Sequence, residues 1–295
     1  MSYVKASILD VWGEFVREKS GLVGLILLIF FVILALAAPL IAPREVNDRW
    51  RDVTYWEDYP RAVPPAWVNL FSRESLTPHT ILTPIGTEIN RIGDITENIF
   101  TFEFQYKYDK PPTDLMLKIN LNMTQGGKPP MLSFTVRRPD GEEIELASMS
   151  LSSAASREGT LRVLITALPS ARTSIITFAS EYVPLEKRAN IQYELLDLMI
   201  PLFSEADEGM LQENTAKPLK GKYVFTAYIY TFNPKDRVNN VSLIIAGRAY
   251  GLLGTDGLRR DLFGGLVWGT RVSLVVGIVS SVLTTLIGVL YGVSS

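Results

Sequence analysis

The apolar run from Val272 to Val293 constrains the fold more than any other stretch of the sequence. It contains no charged side chain, and serines and threonines supply most of its polar interruptions. An α-helix rises about 1.5 Å per residue, so a run of this length crosses roughly 30 Å of hydrocarbon. We therefore predict that residues 271–293 form a membrane-spanning helix.

The residues just before this run, 254–270, have the pattern of an amphipathic helix. Thr255 or Asp256 can cap such a helix by accepting a hydrogen bond from a free backbone N–H group. Trp268 lies where the chain would enter the bilayer interface. Leucines recur every fourth residue on one helical face, at Leu258, Leu262 and Leu266. The pattern predicts a short helix on the membrane surface that leads into the spanning helix.

A second apolar run, from Gly21 to Ile41, predicts another spanning helix at residues 21–42. Pro39 and Pro43 are expected to end it, because proline lacks the N–H group that a helix needs. The alternative is a signal peptide, for which Ala35-Leu36-Ala37 offers a small-x-small cleavage pattern. The long polar segment ahead of the run, residues 1–20, favours a retained helix. Its apolar spacing predicts an amphipathic cytoplasmic helix, and a solvated tail is the other interpretation.

A connecting segment, 43–69, and a long polar region, 70–253, separate the two apolar runs. From Phe100 to Tyr108 aromatic and polar side chains alternate strictly, which is typical of a half-buried strand. We interpret this stripe as core rather than as a binding platform. Further strands are predicted at residues 115–123, 131–137, 142–146, 161–168, 174–178, 222–232 and 241–246, with a helix at 187–202. Short strands and turn signals predict an antiparallel β-sandwich with a helical excursion near residue 190.

The composition excludes several kinds of chemistry. The 295 residues include no cysteine, so disulfides, thiol nucleophiles and cysteine-bound metals are impossible. The single histidine, His79, is predicted on a surface loop and argues against a Ser-His-Asp triad or a multi-histidine metal site. A net charge of −2 gives no electrostatic basis for nucleic-acid binding. We assign no enzymatic activity, metal or cofactor to this chain.

Two ordered motifs occupy the C-terminal region. Leu253-Gly254-Thr255-Asp256 precedes Arg260-Asp261, and Arg271-Val272-Ser273-Leu274 with Gly277 follows. This set resembles the L-G-T-D-x-x-G-R-D and R-[IV]-S-L-x-x-G motifs of permease subunits in binding-protein-dependent ABC importers of the oligopeptide/dipeptide type. The resemblance is to the second-permease class. Arg259 departs from the pattern, because that family usually has glycine there.

The first half of the chain also looks like this family. The first apolar run ends in Ala38-Pro39-Leu40-Ile41-Ala42-Pro43, and Pro64-Pro65-Ala66-Trp67 is similar to a P-P-x-W motif. In many relatives P-P-x-W comes shortly before G-T-D, whereas here residues 68–253 intervene. The resemblance therefore implies a large insertion in the first external loop.

The resemblance also implies a function and partners. The chain would be a multi-pass plasma-membrane subunit that passes peptides or similar small solutes, with a cytoplasmic N-terminus and residues 43–270 outside the cytoplasm. Its partners would be a second permease subunit, two cytoplasmic ATPase subunits, an external solute-binding protein and the lipid bilayer. ATP and Mg²⁺ would be bound by the ATPases. We expect the chain to be the N-terminal part of a longer permease, because no E-A-A-x-x-x-G docking loop occurs; a two-span subunit is the alternative.

Small residues on the second spanning helix form one face on which other helices can approach closely. They are Gly277, Ser281, Thr284, Gly288 and Gly292. This face predicts partner helices. The alternative function is a membrane-anchored extracellular interaction module without transport activity, in which the β-rich region is the working part.

Overall fold

The computed structural model describes residues 12–13, 15–124, 127–151, 159–188 and 192–294. They divide into two compact units. The helical unit contains the residues up to Trp56 and those from Arg260 onward, and the β unit runs from Glu57 to Arg259.

The helices and strands follow one another in a simple order. The helices are α1 (Lys19–Ile41), α2 (Arg44–Asp48), α3 (Pro169–Tyr182), α4 (Leu185–Arg188), α5 (Met199–Leu202) and α6 (Leu262–Ser294). The strands are β1 (Thr80–Leu82), β2 (Gly86–Ile92), β3 (Ile95–Tyr106), β4 (Asp114–Asn122), β5 (Met131–Arg137), β6 (Glu143–Ser150), β7 (Thr160–Leu164), β8 (Gly221–Thr231) and β9 (Arg237–Ala246).

In the helical unit, α1 and α6 are both long and apolar enough to cross a membrane, and they pack against each other. Most of the predicted helix at residues 1–20 lies outside the described residues. Trp12, Gly13 and the segment 15–17 are helical.

The prediction that Pro39 ends the first spanning helix is wrong. Pro39 lies inside α1, which continues to Ile41 and ends before Pro43. A proline in a helix leaves the carbonyl four residues earlier without its usual N–H donor. For Pro39 this carbonyl belongs to Ala35, and it finds another donor, as described below.

The predicted helix starting at Thr255 or Asp256 is also wrong. Residues 255–260 are not helical and include a turn at residues 257–258, and α6 starts at Leu262 and continues without a break through the predicted spanning segment. Arg259 has a φ of 68°, in the left-handed region, which a right-handed helix cannot contain. The amphipathic and spanning segments therefore share a single helix that begins later than expected.

The β unit is an antiparallel sandwich, as predicted. One sheet has the order β1-β9-β4-β7 and the other β2-β3-β8-β5-β6. Their inward side chains join in one core. The aromatic stripe of β3 is part of that core, since Phe100, Phe102, Phe104 and Tyr106 are all buried. The interpretation of the stripe as core is thus confirmed.

The predicted helical excursion is present but begins earlier than expected, at Pro169. Residues 174–178, predicted as a strand, lie in α3, whose Ala171, Ile175, Phe178 and Ala179 form a buried face with helical spacing. Pro169 in the first turn suits a helix start. The predicted helix at 187–202 is instead two short helices, α4 and α5, with a 3₁₀ turn at Tyr193–Leu195. Residues 189–191 lie outside the described part of the chain.

Candidate functional site

The two motif segments of the β unit, residues 60–67 and 250–256, lie side by side although the whole sandwich separates them in sequence. Hydrogen bonds join Ala66 N to Gly251 O (2.9 Å), Tyr250 N to Pro64 O (3.0 Å) and Trp67 Nε1 to Leu252 O (2.9 Å). We call these paired segments the strip. The chain enters the sandwich from one of them and leaves it through the other, so its entry and exit points are neighbours. P-P-x-W and G-T-D adjoin each other in space, as they adjoin in sequence in the family that the chain resembles.

Gly254 and Thr255 make the tightest contacts of this strip. Gly254 has a φ of 76°, and a Cβ atom there would lie 2.2 Å from Val63 O. Thr255 is 5% exposed, and its hydroxyl donates to Pro60 O at 2.8 Å. The same hydroxyl oxygen accepts from Val63 N at 3.3 Å. A glycine without a Cβ and a small hydroxyl side chain are both required for the segments to approach this closely.

Asp256 and Arg259 shape the turn that follows. The Asp256 carboxylate accepts from Leu258 N at 2.9 Å, which closes an Asx turn. The guanidinium of Arg259 donates to Glu57 O at 2.8 Å and to Tyr59 O at 3.2 Å. The role predicted for Asp256, a helix cap, is instead a turn contact.

Asp261 caps α6. Its two carboxylate oxygens accept from Phe263 N at 3.1 Å and from Gly264 N at 3.2 Å. Burial raises the pKa of Asp261, and these two N–H groups oppose the rise. Arg260 lies over the ring of Trp50, 4.6 Å from its centroid. The capping residue was therefore among the predicted motif residues, but it is Asp261 rather than Thr255 or Asp256.

Arg271 links α6 to α1 one helical turn before Pro39. Its Nε donates to Ala35 O at 2.7 Å, and Ala35 O is the carbonyl that Pro39 deprives of a helical donor. The guanidinium also lies 4.8 Å from the Trp268 ring centroid, and Trp268 Nε1 donates to Pro43 O at 3.2 Å. In a bilayer, an unpaired carbonyl and an unpaired guanidinium would both be costly. The contact between Arg271 and Ala35 satisfies the carbonyl and gives the guanidinium a polar partner.

Two glycines at the start of α6 allow the short helix α2 and the residues after it to approach. A Cβ atom on Gly264 would lie 2.9 Å from Val46 Cγ1, and one on Gly265 would lie 2.3 Å from the Trp50 ring. These contacts belong to the helical unit. Neither glycine was predicted to have a role, although small residues recur at every fourth position of the sequence from Gly265 onward.

A groove of about 710 Å³ lies along α6 beside α1. Small residues line it at every fourth position, and these are Gly265, Gly269, Ser273, Gly277 and Ser281. Of the predicted packing residues, the groove includes Gly277 and Ser281 and does not include Thr284, Gly288 or Gly292. A Cβ atom on Gly277, Gly288 or Gly292 would meet no atom of the described chain within 4 Å. The role of this face in helix packing remains a prediction.

The connecting segment is held to the sandwich by a charged cluster that sequence reasoning missed. Asp58, 8% exposed, accepts from Arg162 Nε at 2.7 Å and from Lys118 Nζ at 2.5 Å. Burial alone would raise the pKa of Asp58, but the bonds from Arg162 and Lys118 outweigh it and lower the pKa. Nothing in the local sequence pairs residues so far apart.

His79 is less exposed than a surface loop residue would be. Its ring stacks on Tyr59, with centroids 6.0 Å apart, and meets Tyr250 edge-on at 5.6 Å. Both ring nitrogens are buried and have no hydrogen-bond partner among the described residues. Burial lowers the pKa of His79 to about 4; Arg259 adds to this effect and Asp58 opposes it. The described residues include no group of acidic or histidine side chains arranged to hold a metal ion.

Residues 8–64 match the family described as the N-terminal TM domain of oligopeptide transport permease C. This segment includes α1, α2 and the start of the P-P-x-W motif. The match and the two long apolar helices support a membrane location and a permease-type N-terminus. The C-terminal motifs lie outside the matched segment.

No curated protein matches the chain. One solved structure is titled "Structural basis for the promiscuous specificity of the carbohydrate-binding modules from the beta-sandwich super family". It is 9% identical, with a TM-score of 0.24 over 64% of this chain and 62% of that one. The chain thus spans less than two thirds of that structure's length, and a likeness at this level carries no functional argument.

Proposed function

We propose that this chain is a permease subunit of an ABC importer for peptides or similar small solutes. It works with a second permease subunit, two cytoplasmic ATPases and an external solute-binding protein. The observation that carries the proposal is the match of residues 8–64 to an oligopeptide permease N-terminal domain. ATP and Mg²⁺ act on the ATPase subunits, and this chain supplies helices rather than catalytic residues.

The Arg271–Ala35 contact supports the proposal from outside the matched segment. It joins α1, which lies within the match, to the R-V-S-L motif of α6, which lies beyond it. The two motifs of the resemblance therefore meet in one polar contact. In this proposal Arg271 and Pro39 together fix the crossing point of the first two spanning helices.

The paired segments 60–67 and 250–256 support the placement of the β unit as an insertion. The chain enters and leaves the sandwich through two segments that are hydrogen-bonded to each other, as expected of a domain inserted into a loop. We propose that residues 43–270 are extracytoplasmic, that the N-terminus is cytoplasmic, and that the β unit lies where it can orient the solute-binding protein.

The small-residue groove supports partner helices. Close helix approach in a membrane depends on small side chains, and α6 presents five of them at a spacing of four. We propose that a spanning helix of the permease bundle packs against this face at Gly277, where a Cβ atom would meet no other atom of the described chain within 4 Å.

The absence of cysteine allows a clean test of this packing. Gly277→Cys places a thiol on the groove, and Val279→Cys, the matched control, places one on another face of the same helix. In membranes of the source organism, a thiol-reactive benzophenone photocrosslinker, which inserts into C–H bonds, is expected to join the Gly277→Cys chain to a second spanning segment and to leave the Val279→Cys chain mostly unlinked. Equal crosslinking of the two variants, or none, would contradict the packing proposal.

A further inference from the structure

A polar cavity in the β unit has no role in the proposed transport function. Its volume is about 370 Å³, within the size range of small-molecule sites. It lies where β3 ends, beside the Asp109–Pro111 loop and the segment that leads from α5 to β8. All of its lining residues belong to the β unit.

Tyr106 contributes the most unusual group to this cavity. The residue is 0% exposed, and its buried hydroxyl has no hydrogen-bond partner in the described part of the chain. Burial raises the pKa of Tyr106, and the charge of Asp109, which lines the same cavity, adds to the rise. The hydroxyl therefore stays protonated and within the field of the cavity's carboxylates. A buried polar group without a partner costs free energy that a ligand can recover.

The charged side chains that line the cavity are mainly acidic. Glu74, Asp109 and Glu213 outnumber the single lining cation, Lys110. Lys110 Nζ lies 3.1 Å from Glu213 and 3.4 Å from Glu74, and both glutamates are more than half exposed. Such exposed ion pairs contribute little to stability, so a ligand cation can replace Lys110 beside either glutamate.

The Asp109 carboxylate is already engaged. Lys220, which does not line the cavity, holds it at 2.7 Å, and hydrogen bonds from Lys220 and Ser75 lower the pKa of Asp109 to about 2. Asp109 therefore stays ionised at all ordinary pH values. The exchangeable acceptors that remain for a ligand are the two glutamates and the oxygen of Tyr106.

Two aromatic side chains line the cavity. The Tyr106 ring lies 5.0 Å from that of Phe203, which also lines the cavity.

We propose that this cavity binds a small ligand through a primary ammonium group, which donates to the Tyr106 hydroxyl oxygen and to Glu213. Carboxylates in excess supply the charge complement, and the Tyr106 oxygen supplies a desolvated acceptor. The ligand is a small organic amine, because the cavity is too small for a folded partner. The proposal does not depend on the transport function. Its failure would therefore leave the importer assignment unchanged, and the reverse also holds.

The test is isothermal titration of the detergent-solubilised full chain with propylammonium chloride at constant ionic strength. Tyr106→Phe removes only the unpartnered hydroxyl and Glu213→Gln only one exposed charge, so both variants should fold. Tyr230→Phe and Glu143→Gln are the matched controls, since neither residue lines the cavity. Loss of a hydrogen bond to a charged group weakens binding by about tenfold or more. That loss is expected for both test variants and for neither control.

Further probes decide the ligand class. Tetramethylammonium carries the charge but has no N–H donor, so weaker binding than that of propylammonium supports the proposal. Saturable binding of Ca²⁺ or of a neutral polyol, but not of propylammonium, would overturn it. Unchanged propylammonium binding in Tyr106→Phe would overturn it as well, as would the absence of saturable binding.

Discussion

Arg259 is held in a backbone conformation that side chains with a Cβ atom rarely adopt. Its φ of 68° costs about 1 kcal/mol relative to glycine, and the two hydrogen bonds of its guanidinium to Glu57 O and Tyr59 O offset that cost. The family that the chain resembles usually has glycine at this position. In this chain Arg259 has a φ angle that glycine adopts readily, and its side chain donates two hydrogen bonds that glycine could not make.

A pair of substitutions separates these two effects. Arg259→Ala removes the hydrogen bonds and keeps the strain, so we expect it to destabilise the β unit by about 1–3 kcal/mol. Arg259→Gly removes both, and should be less destabilising than Arg259→Ala by about 1 kcal/mol. Chemical denaturation followed by tryptophan fluorescence gives both values. If the alanine variant were as stable as the glycine variant, the strain would be absent.

The lowered pKa of His79 predicts that the stability of the β unit depends on pH. Its pKa of about 4 in the folded chain is below its ordinary value of 6.5, so the unfolded chain binds the proton more tightly. The stability of the β unit should therefore be complete above about pH 6.5 and should fall as the pH drops towards 4, by a few kcal/mol at most.

The control for this prediction is His79→Phe. Phenylalanine keeps an aromatic ring between Tyr59 and Tyr250 and leaves no buried nitrogen without a partner. The variant should unfold with less pH dependence between pH 6.5 and 4 than the wild type in thermal scans. An identical slope in both proteins would mean that another group titrates in this range.

At the scale of elements, Pro39 and Arg271 act on the same backbone carbonyl, that of Ala35. Pro39 removes the donor from Ala35 O, and Arg271 replaces it from the neighbouring helix. The hydrogen bond that α1 lacks at Ala35 O is therefore made by a side chain of α6.

A double-mutant cycle measures this coupling. Arg271→Ala should destabilise the helical unit by about 1–2 kcal/mol when Pro39 is present, because Ala35 O then loses its donor. In the Pro39→Ala background the helix supplies its own N–H group, so the same change should cost clearly less. Thermal stability in detergent is the measurement. Equal effects in the two backgrounds would show that the residues act independently.

The same elements show what sequence can and cannot predict here. Uninterrupted apolar length identified both spanning-type helices, and period-two alternation identified the sandwich and the burial of Phe102 and Phe104. Local rules failed where a distant partner decides the outcome. Pro39 is tolerated because of Arg271, and the start of α6 depends on the φ of Arg259 and on the carboxylate of Asp261. Likewise, no local pattern joins Asp58 to Lys118 and Arg162.

At the scale of the whole molecule, the chain enters and leaves the sandwich through neighbouring segments of the β unit. Trp67 Nε1 lies 2.9 Å from Leu252 O, so a short Gly-Ser linker can replace residues 69–250. We expect the shortened chain to remain in the membrane during carbonate extraction, because α1 and α6 carry the apolar length. Release of the shortened chain into the soluble fraction would show that the sandwich is required for membrane insertion.

The most direct test of the importer assignment is affinity purification of the tagged chain from native membranes, followed by mass spectrometry of the proteins that accompany it. The assignment predicts two kinds of partner in stable amounts, an ABC-type ATPase and a second permease subunit. Recovery of the chain alone, or with only a soluble surface protein, would contradict it and would favour an anchored interaction module instead.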